Sequence, residues 1–91
     1  MNVERVAVIG LGLLGGSIGL AIQERAGDII TIGYDRDPAV RDTARARGLV
    51  GTICESAAEA VAEADLVILC VPVGAIEKVA GEFAKSLPER A

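Results

Sequence analysis

The chain contains no histidine and no tryptophan, and only one Tyr and one Phe. Without His it lacks the commonest general base and the commonest metal ligand. Without a stock of aromatics, its core must be built from Ala, Val, Ile, Leu and Gly, as in α/β domains with buried parallel strands. Cysteine is scarce as well. Cys54 and Cys70 stand far apart with no C-x-x-C pairing. That argues against a metal or redox site and suits two small apolar fillers in a reducing cytoplasm. Basic residues are outnumbered: nine Lys and Arg face thirteen Asp and Glu, for a net charge of −4. Scattered as they are, they offer no face to nucleic acid or anionic lipid. Low-complexity tracts and linkers are missing too, so the 91 residues read as one small unit.

Against these absences stands one long uncharged stretch, "VAVIGLGLLGGSIGLAI", residues 6–22. It is at the lower limit of a membrane span, about 17 residues. A span does not explain why the glycines crowd into its first half, where each weakens a helix by about 1 kcal/mol. A signal peptide wants a basic start and a small-residue cleavage site, and "NVER" and "QERAGD" supply neither. A strand, a turn and a helix explain the pattern better. "RVAVIG" is a β-branched apolar run; "LLGGSIGLAIQERAG" places Leu14, Ile18 and Ile22 on one helical stripe, with Gly27 as its stop. The turn between them is G-x-G-x-x-G at Gly10, Gly12 and Gly15. In a dinucleotide fingerprint the first glycine makes the tight turn and the second lets backbone approach a pyrophosphate. The third lets helix and strand pack closely. Free N–H groups near Leu13 and Leu14 then hold the anion with the helix dipole. The plain alternative is a glycine-rich helix–strand contact with no ligand.

The fingerprint also asks for an acidic residue about 20 positions on, at the end of the next strand. "IITIGYDRD" provides Asp35, twenty residues after Gly15. Its carboxylate suits the two ribose hydroxyls of adenosine and repels a 2′-phosphate, which favours NAD over NADP. Arg36 leaves three options open: pairing with a 2′-phosphate, lying on the adenine face, or facing solvent. Ser17, in the first helical turn, either reaches a phosphate oxygen or bonds back to its own helix.

The βα rhythm continues. "DPAVRDTARARG" has Asp37 as N-cap, Pro38 at the first helical position and Gly48 past the end. "LVGTIC" reads as a short third strand, and "SAAEAVAEAD" as a helix with Ser56 and Glu59 at capping-box spacing. "LVILCVP", residues 66–72, has no polar alternation and reads as a strand buried on both faces. "GAIEKVAGEFAKSL" presents Ile76, Val79, Ala80 and Phe83 on one helical face, and Pro88 closes it. Parallel strands joined by right-handed crossovers predict a Rossmann-type doubly wound sheet of order 3-2-1-4. Its switch point lies between strands one and four. The glycine turn then forms one side of a crevice, and Val71 and Pro72 the other.

"VAVIGLGLLGGSIGLAI", "GYDRDP" and "DLVILCVPVGAIEKV" together closely resemble the start of the prephenate and arogenate dehydrogenases of tyrosine biosynthesis. The resemblance covers almost the whole chain. Its most telling piece is Gly15-Gly16-Ser17, where β-hydroxyacid dehydrogenases typically carry GLGxMG. The resemblance implies an oxidative decarboxylation with hydride transfer to NAD(P)+ and a His as proton acceptor. It implies cofactor contacts at Gly10, Gly12, Leu13, Leu14 and Gly15 for the pyrophosphate and at Asp35 and Arg36 for the ribose. Val71 and Pro72 form the far wall. It further implies that residues 1–91 are the N-terminal part of the dinucleotide-binding domain. Strands five and six, the catalytic His and a helical dimerisation domain would lie beyond. No catalytic residue is expected within the chain, which unaided should be inactive. The fourth strand, left without a neighbour, would expose an uncharged apolar edge and favour self-association; a family-type homodimer is the other expected assembly. Two other readings remain: the nucleotide-binding part of another oxidoreductase, such as a β-hydroxyacid dehydrogenase, and a stand-alone nucleotide-sensing module.

Overall fold

A computed structural model describes residues 3–88. Four strands alternate with four helices: β1 (Arg5–Ile9), α1 (Leu13–Arg25), β2 (Ile30–Tyr34), α2 (Pro38–Arg47), β3 (Thr52–Ile53), α3 (Ala57–Val61), β4 (Leu66–Leu69) and α4 (Ile76–Phe83). Single 3₁₀ turns, Val73–Ala75 and Ala84–Ser86, flank α4. The sheet has the order β3-β2-β1-β4. Every pairing is parallel, with Ala7 beside Ile32 on one side and Val67 on the other. This is the doubly wound order that the crossover rule predicts.

Alternation along β1 divides the core. Val6 and Val8 face α1 and α2, with Leu11, Ala44 and Val50. Ala7 and Ile9 face α3 and α4, with Ala60, Val61, Val79 and Phe83. Both faces of β1 are therefore covered, and its residues 6–9 are almost inaccessible. The caps follow the local rules. Asp37 accepts a hydrogen bond from the Ala39 N–H at 2.9 Å, and Gly48 takes the left-handed conformation (φ 63°) past α2. Ser56 accepts from the Glu59 N–H at 3.1 Å.

Three expectations are corrected. The buried face of α1 is Gly15, Gly16 and Gly19, not a stripe beginning at Leu14, which is 67% exposed. The helix lies too close to its neighbours for side chains. A Cβ on Gly19 would come within 2.6 Å of both the Leu49 carbonyl oxygen and Val50 Cγ1. The third strand has two residues, not six, because Thr31 Oγ1 takes the Gly51 N–H at 2.8 Å and Leu49 still belongs to the turn after α2. The fourth strand is half-buried and ends at Leu69, with Leu66 42% exposed. Among the described residues it pairs only with β1, so one edge has no neighbouring strand.

Asp65 ties the sheet together ahead of β4. It is buried, and its Oδ2 accepts from the backbone N–H groups of Glu4 (2.9 Å) and Arg5 (3.0 Å) at the start of β1. Asp65→Ala leaves two partly buried donors unmatched. We expect it to lower the unfolding free energy by about 2–3 kcal/mol in urea titration. A loss below about 0.5 kcal/mol, the scale of an ordinary surface substitution, would contradict this role.

Candidate functional site

The site is built around the turn between β1 and α1. Gly10 has φ +99°, and a Cβ there would run into the Cys70 carbonyl. Its N–H donates to the Tyr34 carbonyl at 2.8 Å, so the turn begins wedged between the ends of β2 and β4. A Cβ on Gly15 would fall onto the Gly10 carbonyl, which means that α1 starts in direct contact with the end of β1. Gly12 differs: a Cβ there would meet nothing within 4 Å. Its backbone borders open space, the approach that a bound anion requires.

Helix α1 has Gly12 as its N-cap and no side-chain cap. The Gly16 N–H is bonded to the Gly12 carbonyl at 2.8 Å. The N–H groups ahead of it in the first turn lie beyond the reach of the i→i−4 ladder, so the helix presents uncapped donors and the positive end of its dipole. The side chains of Leu13 (92% exposed) and Leu14 project to solvent. Any part they play in the crevice is therefore through backbone. The Ser17 hydroxyl donates to the Leu13 carbonyl at 2.8 Å, the back-bonding alternative.

Asp35 stands where β2 ends and is a structural joint as well as a surface acid. Its Oδ2 accepts from the Leu11 N–H, inside the glycine turn, at 2.8 Å. Its Oδ1 accepts from the Asp37 N–H at 2.9 Å. The Asp35 carbonyl takes a bond from Arg41 Nη1 at 2.7 Å. Arg41 also lies over the Tyr34 ring at 5.6 Å and pairs with Glu55 at 3.4 Å. The bond to Leu11 was invisible in the sequence. A carboxylate offers about four acceptor sites, so two stay free after these bonds.

A crevice of about 270 Å³ opens at the carboxyl ends of β1, β2 and β4, at the switch point of the sheet. It brings together Gly10, Gly12, Asp35, Arg36, Val71 and Pro72. Ile9, Tyr34 and Cys70, and Val79 and Glu82 of α4, complete it; none of these five was a site candidate from the sequence. The signal available for the last two was their i, i+3 spacing on the fourth helix. Leu13 borders instead a larger apolar groove of about 550 Å³ between α1 and α2, shared with Ser17, Leu20 and Val40.

Neither thiol is an activated nucleophile. Burial, then a hydrogen bond that the thiol donates to the Glu59 carboxylate and the charges of Glu59 and Glu55, push Cys54 up to about 11. Burial also raises Cys70. Both therefore stay neutral at pH 7. Among the described residues no cluster of His, Cys, Asp and Glu could hold a metal. No helix there is long and apolar enough to cross a membrane. The apolar run at residues 6–22 is divided between a strand and a helix.

Comparison with known proteins then decides the family. The family described as prephenate dehydrogenase, nucleotide-binding domain, matches residues 18–91. The chain belongs to this family. It is 43% identical over 84 residues to the cyclohexadienyl dehydrogenase of Zymomonas mobilis, covering 92% of the chain and 29% of that protein. It is 36% identical over 70 residues to the prephenate dehydrogenase of Lactococcus lactis, covering 77% of the chain and 19% of that protein. In structure it matches Synechocystis arogenate dehydrogenase with a TM-score of 0.87 at 25% identity, over 97% of the chain and 31% of that protein. Prephenate dehydrogenase from A. aeolicus, solved with hydroxyphenyl propionate and NAD+, matches with a TM-score of 0.86 at 23% identity, over 100% of the chain and 32% of that protein. The chain thus spans less than a third of each of these relatives. The family match begins inside α1, but the match to the A. aeolicus structure spans the whole chain, glycine turn included.

Proposed function

We propose that this chain is the nucleotide-binding part of a prephenate or arogenate dehydrogenase and that its crevice takes NAD+ in preference to NADP+. One observation carries the reading. The uncapped N-terminus of α1 and the Asp35 carboxylate are locked to one another through the Leu11 N–H, on one side of a single crevice. The first suits a pyrophosphate and the second a ribose diol. The open space at Gly12 leaves room for a phosphate against backbone. Gly10, Gly12, Leu13, Leu14 and Gly15 would hold the pyrophosphate, Asp35 and Arg36 the adenosine ribose, and Val71 and Pro72 the far wall.

Bound there, the cofactor supplies a hydride acceptor for the substrate carbon that carries the hydroxyl. The rest of the chemistry is oxidative decarboxylation and aromatisation of the ring. It needs a proton acceptor and groups that hold the substrate. With no His and two neutral thiols, the chain lacks the side chains that most often serve as that acceptor, and Asp35 is engaged with the Leu11 and Asp37 N–H groups. We assign that role, and the helical dimerisation domain, to the part of the relatives that this chain does not span. Residues 1–91 are on this reading the N-terminal part of the dinucleotide-binding domain, without catalytic residues of their own. Two free thiols suit a cytoplasmic protein. Thermal unfolding tests the cofactor reading. NAD+ should raise the melting temperature of the chain, and more than NADP+ at equal concentration. Equal melting temperatures with and without both dinucleotides would count against it.

The edge of β4 that has no neighbouring strand among the described residues carries a second proposal, that copies of the chain associate through it. Leu66–Leu69 is Leu-Val-Ile-Leu, with neither charge nor proline to guard it. Sedimentation velocity should show association that grows with concentration and that Leu66→Lys reduces. A clean monomer at high concentration would contradict it.

A further inference from the structure

We propose that Glu82 reads the base of the bound dinucleotide, its carboxylate accepting a hydrogen bond from the exocyclic amine of adenine. The inference rests on the nucleotide reading of the crevice and adds a base-specificity residue to it. Three carboxylate or guanidinium side chains line that crevice: Asp35, Arg36 and Glu82. Asp35 is bound to the Leu11 and Asp37 N–H groups beside the glycine turn, which fixes the ribose end. The base must then lie further from the turn, against the apolar wall of Val71, Pro72 and Val79.

Glu82 comes three residues after the buried Val79 on α4, so both lie on the helix face turned to the crevice. Among the described residues the side chain of Glu82 makes no ion pair or hydrogen bond, and neither does that of Arg36. Each therefore has its full capacity for a ligand. An ionised carboxylate only accepts. The purine edge that suits it must donate, and the 6-amino group of adenine does so. A 6-oxo purine would bring a carbonyl oxygen against it instead. Arg36, from the loop between β2 and α2, supplies a flat guanidinium that can cover a base face.

The test is a binding cycle between protein and ligand. The chain is titrated with NAD+ and with the analogue that carries unsubstituted purine in place of adenine, lacking only the 6-amino group. Wild type should bind NAD+ about tenfold more tightly than the analogue, the factor for one charge-assisted hydrogen bond at an open site. Glu82→Ala should weaken NAD+ about tenfold, leave the analogue unchanged and bring the ratio near one. Glu82→Gln keeps an acceptor oxygen and should restore part of the preference. Position 82 is an exposed helical site, so both variants should keep the fold, which circular dichroism verifies. Equal binding of the two ligands by wild type would overturn the inference while leaving the nucleotide reading intact, as would a preference untouched in Glu82→Ala. A folded chain that binds neither ligand would overturn the nucleotide reading, and the inference with it.

Discussion

Gly15→Ala is expected to cost at least about 3 kcal/mol of stability, because the new methyl group has nowhere to go. Its Cβ would fall onto the Gly10 carbonyl and crowd the Cys70 Cβ at 3.2 Å. The obstacle is backbone at the end of β1, not the tip of a flexible side chain. Relief requires moving the start of α1 away from the sheet, and with it the donors that face the crevice. Better helix propensity returns only about 1 kcal/mol. Gly81→Ala is the natural control. Gly81 lies inside α4 with nothing within 4 Å of a would-be Cβ. The same chemical change there should stabilise the fold by about 0.5–1 kcal/mol. Denaturant midpoints of the two variants should therefore move in opposite directions. A Gly15→Ala chain as stable as wild type would show that the contact between α1 and β1 is looser than described.

Asp35→Ala should reduce NAD+ affinity about 100-fold or more, a larger loss than the missing ribose contacts alone would cause. The substitution removes the acceptor of the Leu11 N–H as well as that of the Asp37 N–H. The glycine turn loses its tie to β2 together with the ligand's acceptor. Asp35→Asn separates the two roles. One amide oxygen can keep the Leu11 bond and hold the turn, while the NH₂ group cannot accept from ribose or from Asp37. Its NAD+ affinity should fall about tenfold, and its preference over NADP+ should shrink as the negative charge disappears. Calorimetry on the three proteins checks the order wild type, Asn, Ala. Equal losses in Asn and Ala would mean that the tie to Leu11 contributes nothing to binding.

Legibility in the sequence followed the range of the interactions. The Asp37 and Ser56 caps and the left-handed Gly48 are set within a few residues, and each was readable there. So was the placement of Asp35 at a strand end, twenty residues past Gly15. The sheet order came from the crossover rule once the strands were marked. What escaped detection depends on distances across the fold. The glycine face of α1 is set by how near Leu49 and Val50 approach, and that nearness has no local signature. A continuous apolar run made β4 look covered on both sides, yet a run shows only what a strand tolerates, not which neighbours are beside it. The bond between Asp35 and Leu11 joins residues 24 apart in sequence. Val79 and Glu82 enter the crevice only because α4 lies beside the end of β1. Their spacing marks a helix face without saying what that face meets.

The most direct test of the central claim is calorimetric titration of the whole chain with NAD+ and, separately, NADP+. One NAD+ per chain is expected, bound about tenfold more tightly than NADP+, because Asp35 favours a ribose diol and disfavours a 2′-phosphate. Tighter binding of NADP+ would contradict the role given to Asp35 and transfer it to Arg36. No binding of either by a folded chain would contradict the claim that residues 1–91 form a working nucleotide site.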